Sequence, residues 1–329
     1  MRSRLLPISA VICTYNRGKY LESVLKSLAA QTLERREFEI IVIDDGSSDD
    51  TRSIAESFCR SLPIKYFYQE NSGLAASKNR GIHEARGNIV LFLDDDDIAA
   101  SNLLEEHLKT HEKYPDSRYA VLNYTTWASN LFITPIMKFI TEIGCFLFSY
   151  GKIKDGDILD YTYFWGGRSS CKRSFLLEHG VFNSIFRFGC EDIELGYRLS
   201  KHGLKVVYNA RAISRMIRPV VLQDFFKRLV KQGRSQYCFS MMYDDSEVHE
   251  WCETIGFEEA WEKMRPVYEA VMKSARELDK IANMKIARGL ELDKETERLL
   301  HQAYWWAFRA CKVKGMIDAY VQCHDEVRT

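Results

Sequence analysis

The sequence predicts an α/β fold in which helices flank a mostly parallel sheet and a helical region follows at the C-terminal end. Through the first 100 residues, short apolar runs alternate with segments whose apolar residues recur at helical spacing. Three of the four apolar runs end at a polar cluster. Because the carboxyl ends of parallel strands meet at one edge of a sheet, we expect these clusters to line a single crevice.

The first half of the sheet is predicted to contain four strands with three helices between them. The apolar runs are short and rich in Ile, Val, Leu and Phe, which is typical of strands buried on both faces. The alternation indicates a Rossmann-like arrangement with right-handed crossovers. The predicted strands are residues 8–13, 38–43, 64–68 and 89–93, and the predicted helices are residues 20–28, 51–62 and 74–84.

The pattern is less regular after residue 100. Residues 102–114 and 192–202 have helical spacing, residues 120–124 and 204–208 are predicted strands, and the chain from residue 222 is almost wholly helical. We therefore divide the chain into three regions, residues 1–100, 101–221 and 222–329.

The composition of the chain argues against several classes of protein. The 46 basic and 46 acidic side chains cancel, so a global surface for nucleic acid is not indicated and no nucleic-acid partner is expected. The nine cysteines include no C-x-x-C pair, which favours reduced thiols in a cytoplasmic protein. No signal peptide is expected at the start of the sequence. The most apolar segment, residues 131–150, is interrupted by Pro135, Lys138 and Glu142, so a spanning helix is not expected either.

An acidic run is the strongest local signal for chemistry. Asp94, Asp95, Asp96 and Asp97 directly follow a predicted strand. Four adjacent carboxylates repel one another, and a divalent cation such as Mg²⁺ or Mn²⁺ would offset that repulsion. The alternative interpretation is a solvated acidic loop.

A second acidic cluster, residues 44–49, follows another predicted strand. A carboxylate there could accept hydrogen bonds from a base or a ribose, as acids at strand ends do in dinucleotide-binding folds. The alternative is a turn in which Ser47 or Asp49 caps the next helix. Farther along, the glycines of residues 73–81 do not fit a phosphate-loop spacing. Lys78 or Arg80 could still reach a phosphate, or either could be an ordinary surface cation.

A pair of acids, Glu191 and Asp192, begins another predicted helix. Acids in the first turn of a helix interact favourably with its dipole, which is one explanation for the pair. The functional alternative is that one of them deprotonates an acceptor hydroxyl.

Taken in order, these motifs resemble those of family 2 glycosyltransferases. Each motif alone is weak, whereas the ordered set is specific and covers roughly residues 7–235. The matching stretches are residues 11–17, 42–49, 73–82, 92–97, 166–170 and 191–199. The resemblance implies a GT-A fold and an inverting enzyme that uses a UDP-sugar. Residues 1–100 would then be the nucleotide-sugar-binding half and residues 101–221 the acceptor-binding half of the GT-A domain.

The resemblance also implies roles for residues at the donor. Thr14, Tyr15 and Asn16 would wall the nucleotide. Asp45 would read the uracil edge, and Lys78 would flank the base or the diphosphate.

The remaining roles concern the cation and the acceptor. Asp94, Asp95 and Asp96 match the D-x-D motif; Asp96, with Asp94, would bind Mn²⁺ or Mg²⁺, and Asp94 and Asp95 would lie at the donor. Asp192 matches the general base, and Glu191 would lie near the acceptor. Gly166 and Gly167 match a turn beside the sugar. The sequence departs from many relatives at residues 209–219, where no histidine occurs; Arg215 or Arg218 could pair with the diphosphate instead.

The predicted activity is transfer of a hexose or N-acetylhexosamine to a saccharide or a lipid-linked acceptor, in the synthesis of a surface polysaccharide or glycolipid. One alternative is a sugar nucleotidyltransferase, although residues 14–18 contain only one glycine where such an enzyme needs a glycine-rich basic loop. Another is an inactive relative that acts as a binding module, which intact Asp45, Asp96 and Asp192 disfavour.

Two apolar segments bear on the acceptor and on partners. Residues 132–148 are crowded with Phe, Ile and Met, and Trp305 and Trp306 lie near basic residues in the tail. These segments are either packed core or a subunit interface in a homo-oligomer, or a surface that meets the inner face of the membrane, where lipid-linked acceptors lie.

Overall fold

The structure is a computed structural model that describes residues 6–326. The chain forms two compact units, and each consists of several stretches of sequence. The first unit contains the residues up to Leu131 together with Lys152–Arg187 and Glu191–Arg218, and the second contains Phe132–Gly151, Phe188–Cys190 and the residues from Pro219 onward.

The first unit is organised around one mixed sheet. Among the described residues the strands number nine, and the sheet order is β3-β2-β1-β4-β8-β6-β9-β5, with β7 paired to β9. The strands are β1 (Leu6–Thr14), β2 (Phe38–Asp44), β3 (Ile64–Tyr68), β4 (Gly87–Phe92), β5 (Asp97–Ala99), β6 (Tyr119–Trp127), β7 (Ile158–Leu159), β8 (Ser169–Lys172) and β9 (Lys205–Met216).

Helices make up the rest of the first unit and most of the second. Helices α5 and α8 to α12 belong to the second unit. The helices are α1 (Gly18–Ala29), α2 (Thr51–Ser57), α3 (Leu74–Glu84), α4 (Leu103–Lys113), α5 (Pro135–Lys138), α6 (Arg173–His179), α7 (Glu191–Ser200), α8 (Leu222–Met242), α9 (Ser246–Trp251), α10 (Phe257–Met264), α11 (Tyr268–Ala287) and α12 (Lys294–Glu326).

The parallel half of the sheet forms as the sequence predicts. Strand β1 pairs in parallel with β2 and β4, and β2 pairs in parallel with β3. Every residue of β2 is buried, and α1 packs its apolar face on this part of the sheet through Leu21, Val24, Leu25 and Leu28. The 3.6-residue spacing of those four side chains puts them on one face of the helix, which is why α1 covers the sheet.

The other half of the sheet is mixed. Strand β8 is antiparallel to both β4 and β6, whereas β6 and β9 are parallel. The predicted α/β fold with a helical C-terminal region is confirmed. Strands β5 and β7 were not predicted, because two or three residues are too few to show an alternating pattern. The functional boundaries at residues 100 and 221 stay predictions.

The second unit is helical and rich in aromatic contacts. The ring of Phe139 lies 5.2 Å from that of Tyr304 and 5.8 Å from that of Phe308, so part of the apolar segment at 132–148 packs on α12 as core. A Cβ on Gly233 of α8 would overlap the backbone carbonyl of Lys312 in α12, which means that these two helices approach closely. Within residues 6–326, none of the helices is both long and apolar enough to cross a bilayer.

Candidate active site

The loops after β1, β2 and β4 lie side by side at the carboxyl edge of the sheet. The backbone N–H of Asp45 donates to the carbonyl of Thr14 at 2.9 Å, and that of Leu93 donates to Val11 at 3.0 Å. Burial raises the pKa of the Cys13 thiol. The charge of Lys78 lowers that pKa, and the carboxylates of both acidic clusters raise it. Polar groups from three of the predicted motifs therefore lie around the end of β1.

Asp45 is buried and holds the segment that leads into α3. One carboxylate oxygen accepts from the Ser72 N–H at 2.9 Å and from Gln69 Nε2 at 2.8 Å, and the other accepts from the Gly73 N–H at 2.9 Å. Gly73 has φ +91°, a conformation that favours glycine. A carboxylate has about four acceptor positions, so these three hydrogen bonds leave one of them unused by Gln69, Ser72 and Gly73. The sequence suggested a ligand role for Asp45 and did not indicate this positioning role.

The first loop is tied to the second acidic cluster through Asn16. Asn16 has a left-handed backbone with φ 53°, which Asn tolerates well. Its side-chain oxygen accepts from the Ser48 N–H at 2.8 Å, and its own N–H donates to Ser47 Oγ at 2.8 Å. Thr14 is buried beneath this loop, whereas half of Tyr15 is exposed. The ring of Tyr15 is therefore accessible to solvent.

Three arginines neutralise most of the acidic run. Each carboxylate of the run contacts at least one guanidinium, so the alternative of a freely solvated acidic loop does not describe it. The pairs are Arg17 with Asp95 at 2.8 Å and with Asp96 at 3.6 Å, Arg218 with Asp96, and Arg168 with Asp94 at 2.9 Å and with Asp97 at 3.1 Å. From the sequence we assign a possible partner role to Arg218 but none to Arg17 or Arg168, although both lie within stretches that match the family motifs.

Burial and the neighbouring arginines shift the pKa values of Asp95 and Asp97 in opposite directions. Burial raises the pKa of Asp95 to about 6, although Arg17 lowers it. Burial also raises the pKa of Asp97 well above its usual range, against the effect of Arg168. Asp97 is fully buried, and within residues 6–326 its Oδ1 atom has no hydrogen-bond partner. Asp97 is therefore the most deeply buried acid of the run, whereas the side chain of Asp94 is 35% exposed.

The acidic run fits a divalent cation only as part of a larger ligand set. Among the described residues, no three acidic, His or Cys side chains converge on one point. Mg²⁺ usually takes one or two carboxylates and completes its shell with water and phosphate oxygens. Asp94 and Asp96 offer the carboxylate oxygens that such a cation prefers, so a bound diphosphate and water would supply its other ligands.

The Gly166–Gly167 turn has no room for side chains. A Cβ on Gly166 would lie 2.5 Å from Lys78 Nζ and 3.0 Å from the Cβ of Asp192, and a Cβ on Gly167 would overlap the Asp94 carboxylate. Lys78, Asp94 and Gly166 also line one small cavity in the first unit. The turn therefore lies between the acidic run and the acid pair at the start of α7.

Lys78 and Glu191 form a buried ion pair beside that turn. Lys78 Nζ lies 2.9 Å from Glu191 Oε1, and each side chain is 5% exposed. The sequence left open whether Lys78 was a surface cation, and its burial excludes that alternative. Among residues 6–326, the second carboxylate oxygen of Glu191 has no hydrogen-bond partner and is buried.

Asp192 accepts two backbone hydrogen bonds and is electrostatically suited to accept a proton. Its Oδ2 accepts from the Gly166 N–H at 2.9 Å and its Oδ1 from the Ile193 N–H at 2.9 Å. Burial raises its pKa, the charge of Glu191 raises it further, and the charge of Lys78 opposes them. A carboxylate with a raised pKa is a stronger base, which is the property that a general base requires.

Comparison with known proteins agrees with this fold. Residues 9–171 match the family model described as glycosyl transferase family 2. A glycosyltransferase of Bacillus subtilis named YfnE, itself uncharacterized, is 29% identical and is matched over 60% of this chain and 61% of its own. The chain spans between 48% and 61% of the length of the first curated relatives that it matches.

Two solved structures share the fold. Residues 1–349 of S. aureus TarS in complex with UDP superpose with a TM-score of 0.55 and 18% identity, covering 96% of this chain and 91% of that one. A mannosyltransferase from Pyrobaculum calidifontis, in complex with GDP-Man and Mn²⁺, gives a TM-score of 0.61 and 16% identity over 95% and 86%. The fold is thus of the GT-A type. Residues 9–171 belong to glycosyl transferase family 2, and the curated relatives matched are named glycosyltransferases.

Proposed function

We propose that the protein transfers a hexose or N-acetylhexosamine from a UDP-sugar to a hydroxyl of a saccharide or lipid-linked acceptor, with inversion at the anomeric carbon. The observation that carries this proposal is the Gly166–Gly167 turn. Gly166 donates to Asp192 at 2.9 Å, and Gly167 lies against the carboxylate of Asp94. Asp192, the proposed base, and Asp94, which would help to bind the donor, therefore contact adjacent residues of one short turn. A single displacement needs the base and the donor to be this close.

In the proposed reaction, the residues on one side of the turn stabilise the leaving diphosphate, and those on the other side activate the acceptor hydroxyl. The leaving nucleoside diphosphate gains negative charge as the bond to the sugar breaks, and cationic groups such as Lys78 stabilise that charge. A divalent cation held by Asp94 and Asp96 would supply Lewis-acid stabilisation when bound. Asp192 takes the proton from the acceptor hydroxyl as it attacks the opposite face of the sugar, and Glu191 positions the acceptor.

The donor half of this proposal rests on the loops after β1 and β2. Asp45 keeps one acceptor position that can take the N3–H of uracil, and the exposed ring of Tyr15 can lie against the base. TarS bound to UDP supports a uridine donor, whereas the mannosyltransferase bound to GDP-Man supports the broader class of nucleotide-sugars. We assign residues 1–100 to donor binding and residues 101–221 to acceptor binding.

A thermal-shift experiment tests the donor assignment. UDP with Mn²⁺ is expected to raise the melting temperature, because a ligand that binds only the folded protein stabilises it. GDP and CMP with Mn²⁺ should raise it less. Asp96→Ala should remove the dependence of the UDP shift on Mn²⁺. Equal shifts with all three nucleotides, or none with any, would contradict the uridine donor.

We also propose that the second unit contacts the inner face of the membrane. Phe132 is 59% exposed, and Trp305 and Trp306 are each 48% exposed. Exposed Lys138 and Arg309 are close to these residues in sequence, and this combination of aromatic and basic side chains favours an anionic bilayer surface.

Vesicle sedimentation tests this surface. The protein should sediment with anionic vesicles at low salt and dissociate as salt screens the basic residues. Trp305→Ser combined with Trp306→Ser should lose binding, whereas Met241→Ser, an exposed apolar residue elsewhere in the second unit, should keep it. If the wild-type protein does not sediment at any ionic strength, the surface is better explained as a subunit interface.

A further inference from the structure

One carboxylate of the acidic run is shared by two arginines. Asp96 Oδ2 accepts from Arg218 Nε, and the same oxygen lies 3.6 Å from Arg17 Nη1. The Asp96 side chain is only 4% exposed, whereas those of Arg218 and Arg17 are 33% and 39% exposed. The carboxylate is therefore buried beneath two guanidinium groups that still reach solvent.

The backbone fixes this arrangement on the Arg218 side. Strands β5 and β9 are antiparallel with Asp97 opposite Met216, and the N–H of Ile217 donates to the carbonyl of Asp96 at 2.9 Å. Arg218 is the next residue, so its side chain starts beside Asp96. Arg215, the other arginine considered from the sequence, lies earlier in β9, opposite Ile98.

Two guanidinium groups and a divalent cation would compete for this one carboxylate oxygen of Asp96. The cation carries two positive charges and would face both guanidinium groups at short range, where the repulsion between them is strong. A diphosphate changes this balance, because guanidinium groups bind phosphate oxygens through paired, charge-assisted hydrogen bonds. Once the arginines have moved to the diphosphate, Asp96 is available to the cation.

We propose that Arg218 and Arg17 control access to Asp96: without donor they occupy its carboxylate, and with donor they bind the diphosphate and release Asp96 to the divalent cation. This inference rests on the proposed function, since it takes a nucleoside diphosphate as the ligand. Donor and cation then bind with positive coupling, and each raises the affinity for the other by the same factor.

Two affinities measured on Arg218→Ala test the inference, and they should change in opposite directions. Without nucleotide, Mn²⁺ should bind about tenfold more tightly than to the wild-type protein, because a competing positive charge has been removed. In EDTA, UDP should bind about 10- to 100-fold more weakly, because a charge-assisted contact to the diphosphate is lost. Electron paramagnetic resonance of free Mn²⁺ and calorimetry with UDP measure the two affinities.

Matched variants control for nonspecific effects. Arg118→Ala removes an exposed arginine that pairs with Asp116, and both affinities should stay at the wild-type value. Arg218→Lys keeps the charge, so Mn²⁺ binding should stay weak. If Arg218→Ala does not fold, Arg17→Ala takes its place in both measurements.

The possible failures are distinguishable. Unchanged Mn²⁺ affinity in Arg218→Ala, or unchanged UDP affinity in EDTA, would overturn the control of Asp96 by these arginines. A wild-type protein that binds no UDP, with or without Mn²⁺, would instead overturn the proposed donor.

Discussion

Asp192→Asn is expected to lower kcat for sugar transfer by about 10²–10⁴-fold while UDP binds as tightly as before. The base acts on the acceptor hydroxyl, so its loss removes a contribution to the chemical step and not to donor binding. The side-chain oxygen of Asn can still accept the hydrogen bond that the Gly166 N–H donates to Asp192 at 2.9 Å, so the fold should persist. Transfer rate, UDP affinity and melting temperature should be measured on the same samples.

Glu191→Gln is the matched control for this variant. It should cost less activity if Glu191 only positions the acceptor. The charge of Glu191 contributes to raising the pKa of Asp192. Removing that charge should lower the pKa, so Asp192 stays ionised to lower pH and the acid limb of the kcat profile moves to lower pH. A profile that does not move would argue against Asp192 as the titrating base.

The alternative explanation of both acids is that they only interact with the dipole of α7. It predicts lower melting temperatures for both variants and near-normal turnover by the folded fraction. If a well-folded Asp192→Asn protein transfers sugar at close to the wild-type rate, the base assignment is wrong and Glu191 becomes the candidate.

Lys78→Met is expected to lower the free energy of unfolding by about 3–5 kcal/mol, because it leaves a buried carboxylate without its cation. Lys78 Nζ lies 2.9 Å from Glu191 Oε1, and both side chains are 5% exposed. The other oxygen of Glu191 has no hydrogen-bond partner among residues 6–326, so nothing described there compensates for the loss. Met keeps most of the side-chain volume, which limits the change to the charge. Chemical denaturation measures the effect.

Two comparisons separate the ion pair from other causes. Lys26→Met removes an exposed partner of Glu22, and exposed pairs contribute only about 0–1 kcal/mol, so its effect should be small. Adding Glu191→Gln to Lys78→Met should recover part of the lost stability, because the unpaired charge is then gone. If Lys78→Met is as stable as the wild-type protein, the pair does not stabilise the first unit in the way that its burial implies.

The parallel half of the fold was predictable because its signals are local. The helix predicted at residues 74–84 matches α3 (Leu74–Glu84), and the strand predicted at residues 64–68 matches β3 (Ile64–Tyr68). Strand direction in the other half depends on partners far apart in sequence, as in the pairing of β8 with β4 and β6. Apolar patterning carries no information about such partners, so the strands at residues 120–124 and 204–208 could be predicted but the antiparallel pairing could not.

The carboxylates of the site could be predicted, but their partners could not. Asp94, Asp95 and Asp96 are visible as a run after an apolar strand. Arg17 lies 78 residues from Asp95 and Arg218 lies 122 residues from Asp96, and only the folded sheet brings each pair together. The anchoring of residues 69–73 by Asp45 was missed for a related reason, because three hydrogen bonds to one carboxylate depend on the path of the loop after β3.

Inverting sugar transfer is tested by nuclear magnetic resonance of the sugar that is released or transferred from a panel of sugar nucleotides in the presence of Mn²⁺. We expect that a UDP-sugar is consumed, that UDP is released, and that the first-formed product has the anomeric configuration opposite to that of the donor. Asp192→Asn should form this product far more slowly. Retention of the donor configuration, release of pyrophosphate, or no turnover of any sugar nucleotide would contradict an inverting glycosyltransferase.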